Sequence, residues 1–405
     1  MDIITDAIAG TLISKAVFRG AGLLPTKEMN RQRITTWALM IGAIFPDLGV
    51  LRDPFSRHEL WLNTWHRSIT HSLLCLPVWA VALAALTRII ARWRDWETPT
   101  FFKLTGLYTV GIFTHIFLDL LTGFGAMLWS PVTWYRTAWD ILFVVDFTFT
   151  GILLVPQLLA WAYADPERVP GRAGLLCVIF APAPLIASRI AQALFGVSIS
   201  GFAVLLLATL LAVVFLIPAL RSWGLRVSFA AWNRGGLSLV VAYILVVTYA
   251  HHVALGRVKE FAAHRQVDAQ IIAALPTSPF PQSLWHWDGL VRSPHGVYEA
   301  QMGLRDGLRL SADPENDPSS ERTYYVDSPS NQFIEQARRL GEVQEVLRYA
   351  RFPVTRFHME DHQAVVEILD LRFATMRRNL PVSWITYQVQ FSESGQVLSQ
   401  GWRRR

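Results

Sequence analysis

Charge is scarce in this chain. Only 17% of its 405 residues are Asp, Glu, Lys or Arg, where a soluble domain carries about 25%. That shortage excludes an ordinary water-soluble fold over most of the length. Cysteine is nearly missing too: Cys75 and Cys177 both lie inside apolar runs. A disulfide framework is excluded, and the two thiols read as small hydrophobes. The first 18 residues open with acids and lack a basic stretch, unlike a cleavable signal peptide. The net charge of +6 is spread over loops rather than gathered in one basic patch, so nucleic acid is not an expected partner. No solenoid-period repeat is present.

What the chain has in quantity is apolar surface. Hydrophobic residues make up 52%, with 16 Trp and 23 Phe, many beside the apolar runs, as in the aromatic belts of membrane interfaces. A spanning helix needs about 20 apolar residues. The runs fall at 3–18, 34–51, 69–90, 104–122, 141–163, 173–195, 202–220 and 237–256. The expected fold is an all-α polytopic membrane helix bundle with about seven or eight transmembrane helices, residues 1–256, followed by a small soluble α+β domain, residues 257–405. In that second part VYEAQMGL, RTYYVD, VVEILDLRF and SWITYQVQF have strand-like content, SESGQ reads as a hairpin turn, and Ser330 or Asn331 as an N-cap before a helical stretch.

Lys and Arg sort the connections. Arg19, Lys27, Arg31 and Arg33 follow the first run, and Arg88, Arg92, Arg94 and Lys103 follow the third, whereas the fourth connection holds only Arg136 and the sixth only Arg189. The positive-inside rule then puts odd connections in the cytoplasm and the C-terminal domain in the periplasm. Ionisable groups within the runs take sides accordingly. Asp2, Asp6, Asp47, His66, His71, His115, Asp119, Asp140 and Asp146 all belong to run ends on the outward side. Charges at membrane depth are expensive and point to function or to a buried partner.

His115, Asp119 and Thr122 are spaced i, i+4, i+7 and share one helix face. His66 and His71 converge if His66 precedes the helix. Arg67 could clamp a carboxylate or phosphate, with Thr70 and Ser72 as supporting donors. Three histidines with several aspartates make a nitrogen and oxygen donor set suited to Zn²⁺, or to Mn²⁺ or Fe²⁺ with enough carboxylates. The bland readings stand beside these. Asp2 and Asp6 also suit a helix N-terminus, Asp47 after Pro46 suits a helix end, and a lone buried His is commonly structural.

The segments MDIITDAIAG, GAIFPDLGVL, HRSITHSLL, HIFLDLLTGFGAMLWSP and VVDF, in this order and spacing, resemble a bacterial family of LexA-regulated, membrane-bound, metal-dependent hydrolases. The resemblance covers residues 1–150, with a similar β-rich tail. It implies a bacterial inner-membrane protein with Asp47, His66, His71, His115, Asp119 and Asp146 as metal positions. Asp6 stands where members often carry His or Gln, and Gly49 stands where a second aspartate is usual.

The favoured expectation is a metal-dependent hydrolase at the outer leaflet, its water deprotonated by Asp140 or Asp6 and its substrate held by Arg67. A site at headgroup depth in the lipid bilayer favours an amphiphilic or lipid substrate cleaved at a phosphoester. A transporter or ion-binding protein using intramembrane Asp and His is the second reading. The third is a structural or sensory membrane protein stapled by its metal.

Overall fold

A computed structural model describes residues 1–18, 26–48, 68–186, 188–189, 200–220, 223–276, 282–304, 307–308, 324–373 and 386–403. The helices of the N-terminal part are α1 (Ile3–Val17), α2 (Thr26–Ile44), α3 (Leu76–Trp93), α4 (Phe101–Leu120), α5 (Phe147–Ala162), α6 (Val169–Phe180), α7 (Gly201–Leu220) and α8 (Phe229–His264). Each apolar run thus contains a helix. The expected seven or eight spans are nevertheless not supported. Among the described residues four helices are long and apolar enough to cross a membrane: α3, α4, the stretch Pro166–Ile186 that contains α6, and α8. For α1 and α5 the reason is length. The 15 residues of α1 reach roughly 22 Å at about 1.5 Å each, short of the ~30 Å hydrocarbon core. The 16 of α5 reach little further.

Close helix packing positions the site. α2 lies between α1 and α4, and small residues let the backbones approach. A Cβ on Gly111 of α4 would lie 2.7 Å from the Leu39 carbonyl oxygen and 2.9 Å from the Gly42 Cα. One on Gly10 of α1 would meet the same Leu39 oxygen at 2.7 Å. Larger side chains would force the three helices apart.

Helix starts follow capping chemistry. Asp2 accepts from the Thr5 amide, Thr100 from Lys103, Asp146 from Thr148 and Phe149, and Ser228 from Ala231. The third run begins its helix later than expected, at Leu76 rather than near residue 69. Pro77 sits in the first turn, where a ring without an N–H is tolerated. The preceding residues instead form a single 3-10 turn, Ile69–His71.

α8 runs unbroken through residue 257 to His264, past the boundary expected from composition. Its C-terminal half packs on the first of two antiparallel sheets. That sheet joins β1 (Ile271–Pro276), β2 (His286–Ser293), β3 (Gly296–Gly303) and β4 (Gly307–Leu308), with β5 (Tyr324–Val326) also on β3. The second joins β6 (Pro353–Glu360), β7 (Gln363–Asp370), β8 (Thr386–Phe391) and β9 (Val397–Trp402). Ala273, Leu275, Leu290 and Val297 of the first sheet bury against Phe352, Val354 and Leu369. Ala364, Val366 and Ile368, on the opposite face of β7, pack with Ile334 and Val346 of α9 (Gln332–Arg339) and α10 (Gly341–Tyr349). The strict period of two assigns each side chain to its layer. The helical stretch expected after Ser330 or Asn331 is two helices, parted at Leu340, whose extended ψ of 133° ends the first. The SESGQ turn joins β8 to β9, with Gly395 at φ +85°. One apolar cluster is continuous across the two parts, running from Leu12 and Phe149 through Val247 and Val258 to Trp287 and Met302.

Candidate metal centre

Asp47 sits in the turn that ends α2, His71 in the 3-10 turn before α3, and His115 and Asp119 in the last turns of α4. The packing of α2 on α4 brings Asp47 over His115. His71 is held from outside its own helix. The Ser72 hydroxyl donates to the carbonyls of Ser130 at 2.5 Å and Leu128 at 3.2 Å, and the Leu73 amide donates to Leu128 at 2.9 Å. The loop from Leu121 to Val145 therefore fixes where His71 points.

The two imidazoles meet with their Nε2 atoms 3.0 Å apart. An Asp47 carboxylate oxygen lies 3.3 Å from His71 Nε2 and 3.5 Å from His115 Nε2. These three residues form a group able to hold one metal ion. Donors bound to one Zn²⁺ at about 2.0–2.1 Å stand roughly 3.4 Å apart, and the observed separations fit. Asp119 Oδ2 joins from the side, 3.2 Å from His71 Nε2 and 3.6 Å from His115 Nε2. All four side chains are buried.

The partners of the outer ring nitrogens support this direction of the donors. His115 Nδ1 is 2.7 Å from the Ala43 carbonyl oxygen. That oxygen can only accept, so Nδ1 carries a proton, and in the neutral ring Nε2 is then the atom with the lone pair. His71 Nδ1 is 3.0 Å from the Thr70 hydroxyl, which can accept from it or donate to it. Asp6, wholly buried, lies 3.2 Å from His115 Nδ1, behind the ring. The Met1 amino group ion-pairs with Asp119 and lies 3.6 Å from Asp6.

Two expected positions serve elsewhere. Asp146, expected as a ligand, is the N-cap of α5, accepting from the Thr148 and Phe149 amides at 2.8 and 3.0 Å and from the Tyr243 hydroxyl at 2.9 Å. An Asp immediately before an apolar helix is the ordinary capping signature, and that signal was present in VVDF. Asp140, expected as a base, forms an ion pair with Arg351 at 2.8 Å, and no contact of the described residues joins it to the triad. Arg351 lies 211 positions away, so no sequence spacing pointed to it. His66 and Arg67 lie outside the described residues. The Ala43 carbonyl and the Met1 amino group were not foreseen either, because backbone groups carry no residue-type signal.

A bundle of apolar helices with a buried His and Asp group at one end defines a membrane protein with a candidate metal centre. Residues 1–195 match the family model described as YdjM inner membrane protein. No curated protein and no solved structure matches the chain.

Proposed function

We propose that the chain is a membrane-embedded metal-dependent hydrolase acting at the outer leaflet on a phosphoester of a lipid or lipid-linked substrate. The observation that carries the reading is the convergence of Asp47, His71 and His115 donor atoms within 3.0–3.5 Å at one buried end of the bundle. Zn²⁺, or Mn²⁺ or Fe²⁺, would be held by these three residues, with His66 as a further ligand by motif. Such an ion acts as a Lewis acid and makes bound water acidic near neutral pH.

The chain's own residues supply the rest. Asp119, beside both Nε2 atoms, is the carboxylate placed to accept a proton from the attacking water. Asp6 and the Ala43 carbonyl hold the His115 ring from behind. Arg67 remains the proposed headgroup clamp, since a guanidinium matches phosphate geometry. The C-terminal region contacts the same end of the bundle, through Arg351 and Asp140, and we place that end in the periplasm of a bacterial cell, as the Lys and Arg distribution indicates.

Metal analysis of full-length protein purified in detergent tests this, followed by phosphate release from phosphatidic acid, a lipid phosphomonoester, in mixed micelles. The expected result is one or more equivalents of transition metal in the wild type and a large loss in His71→Ala. A wild type without bound metal, matched by an unchanged His115→Ala, would sink the reading.

One observation favours a transporter instead. Thr11 and Lys15 of α1 both donate to Gln157 of α5 at 2.9 Å, a polar station further along the bundle. Ion flux in liposomes that vanishes with Asp119→Asn, without any phosphate release, would decide for that alternative.

A further inference from the structure

The loop between α4 and α5, Leu121–Val145, touches three things at once. Towards the metal centre it continues the helix that carries Asp119. The Thr122 amide and hydroxyl both donate to the Asp119 carbonyl, at 3.1 and 2.9 Å. The loop then folds back on that helix end. Trp139 donates to Leu120, and Ile141 and Leu142 to Leu121, at 2.7–2.8 Å. Asp140, between them, takes the left-handed conformation, φ +59°. Its middle, Leu128 and Ser130, accepts the bonds from Ser72 and Leu73 that aim His71. One loop thus positions donors from two separate elements.

Its third contact is with the C-terminal region. Arg351 reaches in to Asp140 at 2.8 Å. Arg372 donates to the Gly123 carbonyl at 3.2 Å while bonded to Asp370 at 2.7 Å. Two guanidinium groups lie over the Tyr349 ring, Arg136 of the loop at 4.8 Å and Arg372 at 4.7 Å. Leu275 of β1 packs against the space beside Gly123, which Asp140 also borders.

We propose that Arg351 and Arg372 are positioning residues for the metal centre: docking of the C-terminal sheets on the 121–145 loop sets the geometry of His71 and Asp119, so the β-rich region governs metal affinity from a distance. This rests on the metal-centre reading for its consequence, but the mechanical link is testable without it. Partners outside the coordination sphere alter metal affinity by about 10–100-fold, and that is the range expected here.

The test uses the full chain in detergent. Arg351→Ala is the main variant, because Arg372 is buried and its removal threatens folding of the sheets. Zn²⁺ affinity by competition with a chelator is expected to weaken at least about 10-fold. Arg351→Lys should recover much of it. Asp140→Asn, which keeps the left-handed conformation, should lose affinity as Arg351→Ala does, and the double variant should lose no more than either alone. Amide hydrogen exchange should quicken at Leu73, Ile141 and Leu142 in Arg351→Ala. Unchanged Zn²⁺ affinity with faster exchange at those amides would overturn the coupling, and unchanged exchange would overturn the link between docking and the 121–145 loop. A wild type with no Zn²⁺ affinity would sink the metal reading, and amide exchange alone would then decide whether the loop transmits docking to His71.

Discussion

Buried charge is handled differently in the two parts of this molecule. In the C-terminal region three buried acids, Asp370, Glu299 and Glu367, face fixed partners. Asp370 takes Arg372 through Nε at 2.7 Å and the Phe352 amide at 3.2 Å, Glu299 accepts from Tyr325 at 2.7 Å, and Glu367 from Arg403 at 3.0 Å. Burial works against the Arg372 guanidinium, but Asp370 outweighs it and holds its pKa above the ordinary value. These groups are settled. At the end of the helical bundle, Asp6, Asp47 and Asp119 crowd two imidazoles whose Nε2 atoms point at one another. Imidazole carries charge only when protonated, and Asp47, His71 and His115 form a group that could hold a metal ion. A paired buried charge speaks for structure, whereas a surplus of one sign around lone pairs speaks for a site.

The comparison can be broken by mutation. Arg372→Ala leaves Asp370 buried without its guanidinium, and a loss of about 3–5 kcal/mol is expected, read as a lower denaturant midpoint for the β-rich part. His71→Ala should instead leave the sheets intact and weaken Zn²⁺ binding by more than the ~100-fold upper range of outer partners, measured by metal content after dialysis. Gly111→Ala pushes α4 from α2 and so separates Asp47 from His115. Overpacking of this kind costs about 1–3 kcal/mol, and thermal unfolding together with metal content should register both effects. Asp146→Ala removes an N-cap and should cost about 1 kcal/mol with metal content unchanged, whereas loss of metal would restore Asp146 as a ligand. Arg348→Ala removes an exposed pair with Glu345, and a change below about 0.5 kcal/mol is expected in unfolding.

Much of this was legible beforehand. The HIFLDLLT segment placed His115 and Asp119 on one face because helical period is local, and the structure puts both at the same site. The sequence grouped the acids and histidines at one set of run ends, and Asp6, Asp47, His71, His115 and Asp119 lie together in the structure. The β-branched content of VVEILDLRF marked β7. The expected span count failed because an apolar run does not set helix length: α1 has 15 residues, and the cap Asp146 starts α5 late, leaving it 16.

By itself the amino-acid sequence determined that the chain enters a membrane, which helix face carries His115 and Asp119, and that nitrogen and oxygen rather than thiolate would be offered to a metal. Those properties depend on residue type and on spacing within a few turns. Only the tertiary structure decided that Asp47 and His71 complete the group, that Asp146 caps a helix, and that Asp140 belongs to Arg351. Those depend on contacts between residues far apart in the chain, set by the close approach of glycine-lined helices and by one loop's backbone hydrogen bonds, for which no local pattern stands proxy.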